Sequence, residues 1–335
     1  MIKKAAQVDS ADSDHPVLAK APVNSAGLDS VLHNVSRFAV GCYKFARPYA
    51  LHQAILSNIC LYARVLVENP QFFKWHVLLK AFPGYIAIIL AYAYYNGINQ
   101  IFDIDIDRVN KPYLPIPAGD ISLKEAWFLM IFDVVVGLLI LRWMNADLIT
   151  TSLYCLGLVL ATFYSTPPFR FKASSLATII VIPLITGIIQ NVGVLYAART
   201  SLGLPFWWSP STVFITAFVT VFFVPVSLIK DLTDVEGDMK HNIRTFTAMI
   251  GHRNIAFIST GLLLVNYIGA MAASIYMPQA FNRHVMLPFH AILSLWLIFE
   301  AWNLDKANYA KEASANFFQF LWKLLGLEFI MFPFM

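Results

Sequence analysis

Nine stretches of roughly twenty mostly apolar residues divide this chain, and each is long enough to cross a bilayer core as a helix. They fall at 49–67, 77–98, 125–144, 147–165, 176–198, 210–229, 254–276, 285–301 and 315–334. Inside lipid every backbone N–H and C=O must find its partner within the protein, so such segments fold as helices. The expected class is therefore all-α: a polytopic membrane protein whose nine transmembrane helices form a bundle. The composition agrees, with 58% of residues apolar and only 13% charged, whereas soluble domains carry about 25% charged residues. Prolines inside the spans (Pro83, Pro183, Pro225) are tolerated where neighbouring helices take up the freed carbonyls.

Lysine and arginine then assign sides. If all nine spans cross, the N-terminal segment and the ends of the even spans share one face. That face holds seventeen of the 24 Lys and Arg residues, and the other holds six: Arg64, Lys74, Lys80, Arg142, Arg199 and Arg283. The basic face is expected to be cytoplasmic, or stromal or matrix-side in an organelle. A net charge of +4 is too small to argue for nucleic acid. Cys42, Cys60 and Cys155 are too scattered for a disulfide framework or a zinc site.

Residues 1–30 are polar, with Asp9, Asp12, Asp14, Pro16 and Pro22, and read as a disordered segment. They offer no apolar core for a secretory signal, and their acids fit poorly with a transit peptide. In 31–47, Leu32, Val35, Phe38, Cys42 and Phe45 recur at helical spacing with Arg37, Lys44 and Arg47 elsewhere. This predicts an amphipathic helix lying on the lipid interface, with 48–335 as the membrane domain.

Two acidic clusters close even spans. NQIFDIDIDRVNKPY (99–113) follows span two and KDLTDVEGDMKHNIRTF (230–246) follows span six, so both lie on the basic face. Asn99, Asp103 and Asp107 stand at i, i+4, i+8, and Asp231, Asp234 and Asp238 at i, i+3, i+7; on a helix each set forms one stripe. Facing carboxylate stripes repel unless cations lie between them. Mg²⁺ takes one or two carboxylates together with substrate phosphates. Neighbouring Lys111, Arg170, Lys172, Lys230, Lys240 and Arg244 supply counter-charge for a diphosphate. A third element, YSTPPFRFK (164–172), closes span four and brings Tyr164, Arg170 and Lys172 to the same mouth. An EF-hand reading of Asp103, Asp105 and Asp107 fails, because Arg108 and Leu114 occupy positions that need Gly and Glu.

These motifs resemble the UbiA superfamily of membrane prenyltransferases. The longer strings GLPFWWS (203–209), KDLTDVEGD (230–238), IYMPQAF (275–281) and DKANYAKEA (305–313) resemble the plant and algal homogentisate prenyltransferases, the homogentisate solanesyltransferase branch above all. The resemblance covers about 37–335. It implies a bundle around a central cavity with a lateral opening to lipid, and Mg²⁺ dependence, with two ions. It also implies transfer from a prenyl diphosphate to a phenol in plastoquinone-type quinone synthesis, in a plastid membrane with the site on the stromal side. Asp103, Asp107, Asp231, Asp234 and Asp238 would hold metal. Asn99, Lys111, Tyr164, Arg170, Lys172 and Lys230 would bind diphosphate. His52, Gln53, Tyr95 and Asn191 are the candidates for the acceptor cavity, and Tyr92, Tyr95, Phe102 and Phe163 for aromatic walls facing an allylic cation. Where that branch carries a Thr-Ile-Arg-Gly-Thr-like run, this chain has Ala50-Leu51-His52-Gln53-Ala54, and Tyr94-Tyr95-Asn96-Gly97 also departs.

Two other readings stay open. One is an aromatic prenyltransferase of specialised metabolism with a shorter donor and a different phenol. The other, of another class, is a transporter or ion-binding membrane protein, which needs ionisable residues deep in the spans; Asp133 and Glu300 are the candidates there.

Overall fold

The computed structural model describes residues 25–233 and 245–335. Helices dominate, no strand occurs among the described residues, and nine helices there are long and apolar enough to cross a membrane. Their bounds follow the hydropathy reading closely: Ala50–Glu68, Trp75–Phe102, Leu123–Trp143, Leu148–Ser165, Ser175–Ser201, Pro210–Leu232, His252–Tyr276, Arg283–Lys306 and Lys311–Phe334.

We number the α-helices in chain order. α1 (Ser25–Phe45) precedes α2 (Pro48–Glu68) and α3 (Trp75–Phe102), and the short α4 (Ile104–Asn110) extends α3 beyond a break. Then come α5 (Leu123–Trp143), α6 (Leu148–Ser165), α7 (Ser175–Pro183), α8 (Gln190–Ser201) and α9 (Pro210–Ile229). A one-turn helix α10 (Phe246–Ile250) leads into α11 (His252–Tyr276), α12 (Arg283–Lys306) and α13 (Lys311–Met331). Polar side chains close the helix starts. Ser122 and Glu125 form a capping box on α5, and Asp147, Ser174 and Ser209 accept N–H groups of α6, α7 and α9. Each such cap satisfies amides that the helix leaves unpaired.

α9 is the central post. Two thirds of it is buried, and Ile215, Val219, Phe222 and Ile229 are fully enclosed. α3 keeps only 17% of its apolar stretch buried and forms an outer wall with α5. Hydropathy cannot make this distinction, because a span touching lipid and a span touching protein are equally apolar.

The fifth span departs from a regular helix. After Pro183 the chain widens into a π-helical turn, Leu184–Ile189, before α8 resumes. Gly187 allows this turn to press on α9: a Cβ there would fall 2.5 Å from Thr220 Cα. α1 begins at Ser25, six residues inside the stretch expected to be disordered, and residues 1–24 lie outside the described residues. Leu32 and Val35 of α1 are exposed, whereas Phe45 at its end is buried against Ile98, Ile101 and Met130.

Candidate functional site

The first cluster and the 164–172 turn meet at one end of the bundle, and the chain just after that turn reaches the described end of the second cluster. Lys172 Nζ lies 2.7 Å from Asp103 Oδ1. Three residues later, Ser175 Oγ accepts the Phe246 N–H at 3.2 Å, just past the second cluster. The turn after α6 therefore touches both the first cluster and the chain that leaves the second.

Asp103 is the centre of the described group. It does not continue α3, contrary to the expected unbroken stripe: its backbone leaves helical geometry (φ −113°, ψ 11°), and α4 starts one residue later. One carboxylate oxygen receives Lys172 at 2.7 Å and Arg170 at 3.4 Å, and the other accepts the Asn99 amide at 3.1 Å. Asn99 Oδ1 accepts in turn from Arg47 at 3.2 Å. Asp107, one turn on, is buried. Lys111 caps α4, its N–H donating to the Asp107 carbonyl at 2.7 Å. In the second cluster Asp231 is buried in a 3₁₀ turn and pairs with Lys230 at 3.1 Å. Asp234, Asp238, Lys240 and Arg244 lie outside the described residues. Tyr164 is half-buried in the last turn of α6 and joins none of these contacts.

Burial sets the electrostatics. The Lys172 side chain is only 8% exposed. Its loss of hydration pushes the ammonium down to about 8; Asp103 and Asp107 pull the other way, and Arg170 adds to the lowering. A buried cation paired with a carboxylate this closely will re-pair readily with an incoming anion.

Sequence reasoning missed Arg47 and the residues that hold it. Arg47 lies between α1 and α2 in the left-handed region (φ 51°). Gln100 Nε2 donates to the Phe45 carbonyl at 2.7 Å, and Asn96 Nδ2 to the Ala46 carbonyl at 3.2 Å. α3 thus fixes the turn that aims Arg47 at Asn99. Arg170 is also left-handed (φ 37°). Non-glycine residues enter this region at a cost, and such strain gathers at functional sites. The available signal was an Arg-Pro step on the basic face, the same face as both acidic clusters.

Below the mouth, a cavity of about 290 Å³ opens between α3, α5, α6 and α8. Tyr92, Tyr95 and Gln190 form its head and Tyr154 part of its wall. Tyr92 donates its hydroxyl to Gln190 Oε1, and Gln190 Nε2 to Ser57 Oγ at 3.1 Å. The Tyr92 and Tyr95 rings stand 5.6 Å apart. Gly157 makes room for the Tyr95 hydroxyl, which lies 2.5 Å from where its Cβ would be. Of the four expected aromatic walls, these two line the cavity. Phe102 instead meets Trp127 edge-on at 6.1 Å, and Phe163 packs on Phe169 at 4.5 Å. Three acceptor candidates lie elsewhere. His52 is exposed, Asn191 is fully buried with its amide on the Gly187 carbonyl at 2.7 Å, and Gln53 packs against Gly326. None of the three lines the cavity.

Among the described residues no three carboxylates or imidazoles gather closely enough to hold a metal by themselves. The donors that Asn99, Asp103, Asp107 and Asp231 present are all oxygens, which fits Mg²⁺ in kind, since that ion completes its shell with water and substrate phosphate.

Comparisons with known proteins agree with this architecture. The chain is 45% identical over 334 residues to homogentisate solanesyltransferase, chloroplastic, of Arabidopsis thaliana, covering 100% of this chain and 83% of that protein. It is 46% identical over 309 residues to the probable homogentisate phytyltransferase 2, chloroplastic, of Oryza sativa subsp. japonica, covering 92% and 81%. It is 42% identical to a 2-acylphloroglucinol 4-prenyltransferase of Humulus lupulus, covering 93% and 75%. Among solved structures, a UbiA homolog from Archaeoglobus fulgidus bound to GPP and Mg²⁺ superimposes with a TM-score of 0.61 at 16% identity, covering 88% of this chain and 98% of that one, a likeness of fold. The model of the UbiA prenyltransferase family matches residues 57–324, and the chain belongs to that family of membrane-bound prenyltransferases.

Proposed function

We propose that this protein transfers a prenyl group from a prenyl diphosphate to the ring of a phenol of the homogentisate type, at the mouth built around Asp103. One observation carries this reading. A carboxylate–lysine pair with its ammonium buried, flanked by Asn99 and Arg170, lies about two helical turns above a cavity whose head is two tyrosines. The mouth suits a strongly anionic head group and the cavity suits its apolar chain.

Asp103, Asp107 and Asp231, with Asn99 and with Asp234 and Asp238 from the second motif, would hold Mg²⁺, two ions in the full set. When bound, Mg²⁺ supplies Lewis-acid stabilisation of charge on the diphosphate oxygens. Lys172 and Arg170 exchange part of their pairing with Asp103 for the diphosphate, and Lys111 and Lys230 add charge from the flanks. Their attraction grows as negative charge develops on the leaving group, which makes it catalytic rather than merely binding. The donor C–O bond breaks to give diphosphate and an allylic cation. Tyr92 and Tyr95 present ring faces that stabilise such a cation by about 2 kcal/mol when water is excluded. The electron-rich phenol ring then forms the new C–C bond at a ring carbon bearing hydrogen, and that carbon releases its proton to restore the aromatic ring. With homogentisate, the carboxymethyl group elsewhere on the ring also loses CO₂ and takes up a proton, leaving a methyl group. The excess of Lys and Arg on this face orients the mouth toward the stroma of a plastid.

Mass spectrometry of products formed by the full chain in a heterologous membrane with Mg²⁺, homogentisate and prenyl diphosphates tests the proposal. A prenylated phenol is the expected product. Retained turnover in Asp103→Ala or Asp234→Ala, each with normal insertion, would overturn it.

A further inference from the structure

The cavity continues the face of α3 that carries the mouth. Gly84, Ala87, Ala91, Tyr95 and Asn99 follow one another at steps of three and four residues, so they share a stripe. Asn99 holds Asp103, and the other four line the cavity. A chain leaving a diphosphate at Asn99 and Asp103 would pass Tyr95 and the Tyr92–Gln190 hydrogen bond to run down this stripe. The space exists because both walls are made of small residues: Gly84, Ala87 and Ala91 on α3 face Gly193 and Ala197 on α8. The floor is Met144, whose Cε comes within 3.5 Å of the Cβ position at Gly84. Beyond it the rim turns polar at Asn145, Asp147 and Ser201, a poor place for more hydrocarbon.

Length follows from the helix. The fifteen residues from Gly84 to Asn99 span about 22 Å at a rise of 1.5 Å per residue. An extended isoprene unit spans about 5 Å, from four C–C bonds of about 1.5 Å each. The stripe thus accommodates about four units before the floor.

We infer that Gly84 and Gly193 on the walls and Met144 on the floor form a gauge that selects donors of up to four isoprene units over longer polyprenyl diphosphates. This rests on the prenyl-transfer reading and deepens it by naming the donor class. A longer donor has to displace Met144 or fold back, at a cost that a shorter donor avoids. Both glycines have room for a side chain: a Cβ at Gly193 would meet nothing closer than Leu153 Cβ at 3.8 Å. Larger residues there extend into the cavity instead of striking backbone.

The test uses the full chain in membranes with Mg²⁺, homogentisate and geranyl, farnesyl, geranylgeranyl or solanesyl diphosphate. Competition of each donor with radiolabelled geranylgeranyl diphosphate is measured in parallel, without acceptor. For the unaltered protein we expect kcat/KM with farnesyl and geranylgeranyl diphosphates at least tenfold above that with solanesyl diphosphate. Gly193→Leu and Gly84→Leu should each lower the geranylgeranyl value at least tenfold and leave geranyl within twofold, whereas Met144→Ala should raise the solanesyl value about fivefold. Equal use of solanesyl and geranylgeranyl diphosphates by the unaltered protein would overturn the gauge, as would parallel loss of all donors in the glycine variants. If no phenol is prenylated at all, the prenyl-transfer reading fails by itself. The order of the donors in the competition measurement then decides the gauge separately.

Discussion

Two carboxylates in this bundle each attract two cations, and the resemblance ends there. Glu68, at the end of α2, receives Arg64 at 2.9 Å, Arg199 at 3.3 Å and the Ser211 hydroxyl at 2.7 Å. Those arginines have further anchors: Arg64 donates to the Met335 carbonyl at 2.7 Å and Arg199 to the Pro205 carbonyl at 2.9 Å. The Glu68 group lies on regular helices and binds segments of chain together. Asp103 lies at a helix break, and Arg170 beside it and Arg47 behind Asn99 both sit in left-handed backbone, while its lysine is pressed below its usual range. Counting charges does not separate the two. Backbone strain and a lysine held below its usual range do, since a structural clamp needs neither.

The comparison can be broken by substitution. Asp103→Ala should reduce prenyl transfer by about 10³-fold or more, and removing Mg²⁺ with a chelator should do the same, because both take bound cations away from the departing diphosphate; product formation in membranes reads this. Lys172→Ala should cost roughly 10²-fold in kcat/KM, the scale expected for one preorganised donor at a developing charge. Arg47→Ala acts through Asn99 and should cost about tenfold, with Arg47→Lys recovering little, because a point charge does not replace the guanidinium fork. Glu68→Ala should leave kcat/KM within about twofold. It should still destabilise the protein by about 3 kcal/mol, as expected when one partner of a largely enclosed ion pair is removed, and thermal unfolding in detergent measures this. A large loss of turnover in Glu68→Ala at normal stability would erase the distinction.

The nine spans and the placing of both motifs on one face could be read from the chain because lipid permits only one kind of segment and positive charge marks its sides. The break at Asp103 could not, since IFDIDID continues a helical pattern as well as it ends one. Arg47 was hidden because its role depends on a turn fixed by Gln100 and Asn96, about fifty residues away. His52 and Asn191 are a different case. A polar residue in an apolar stretch suggests a ligand contact; His52 faces outward, whereas Asn191 places its amide on its own helix and leaves its buried Oδ1 without a partner among the described residues. The cavity left little trace because Gly and Ala at helical spacing look the same whether they face a partner helix or an open space.

The π-helical turn at Leu184–Ile189 has a consequence for how this scaffold varies. Each residue added to or removed from a helix rotates everything after it by about 100°. Deleting one residue of that turn would restore ordinary winding and swing Gln190, Gly193 and Ala197 off the Tyr92 side. A single codon at this point would re-aim the α8 side of the hollow while Tyr92 and Tyr95 keep their places.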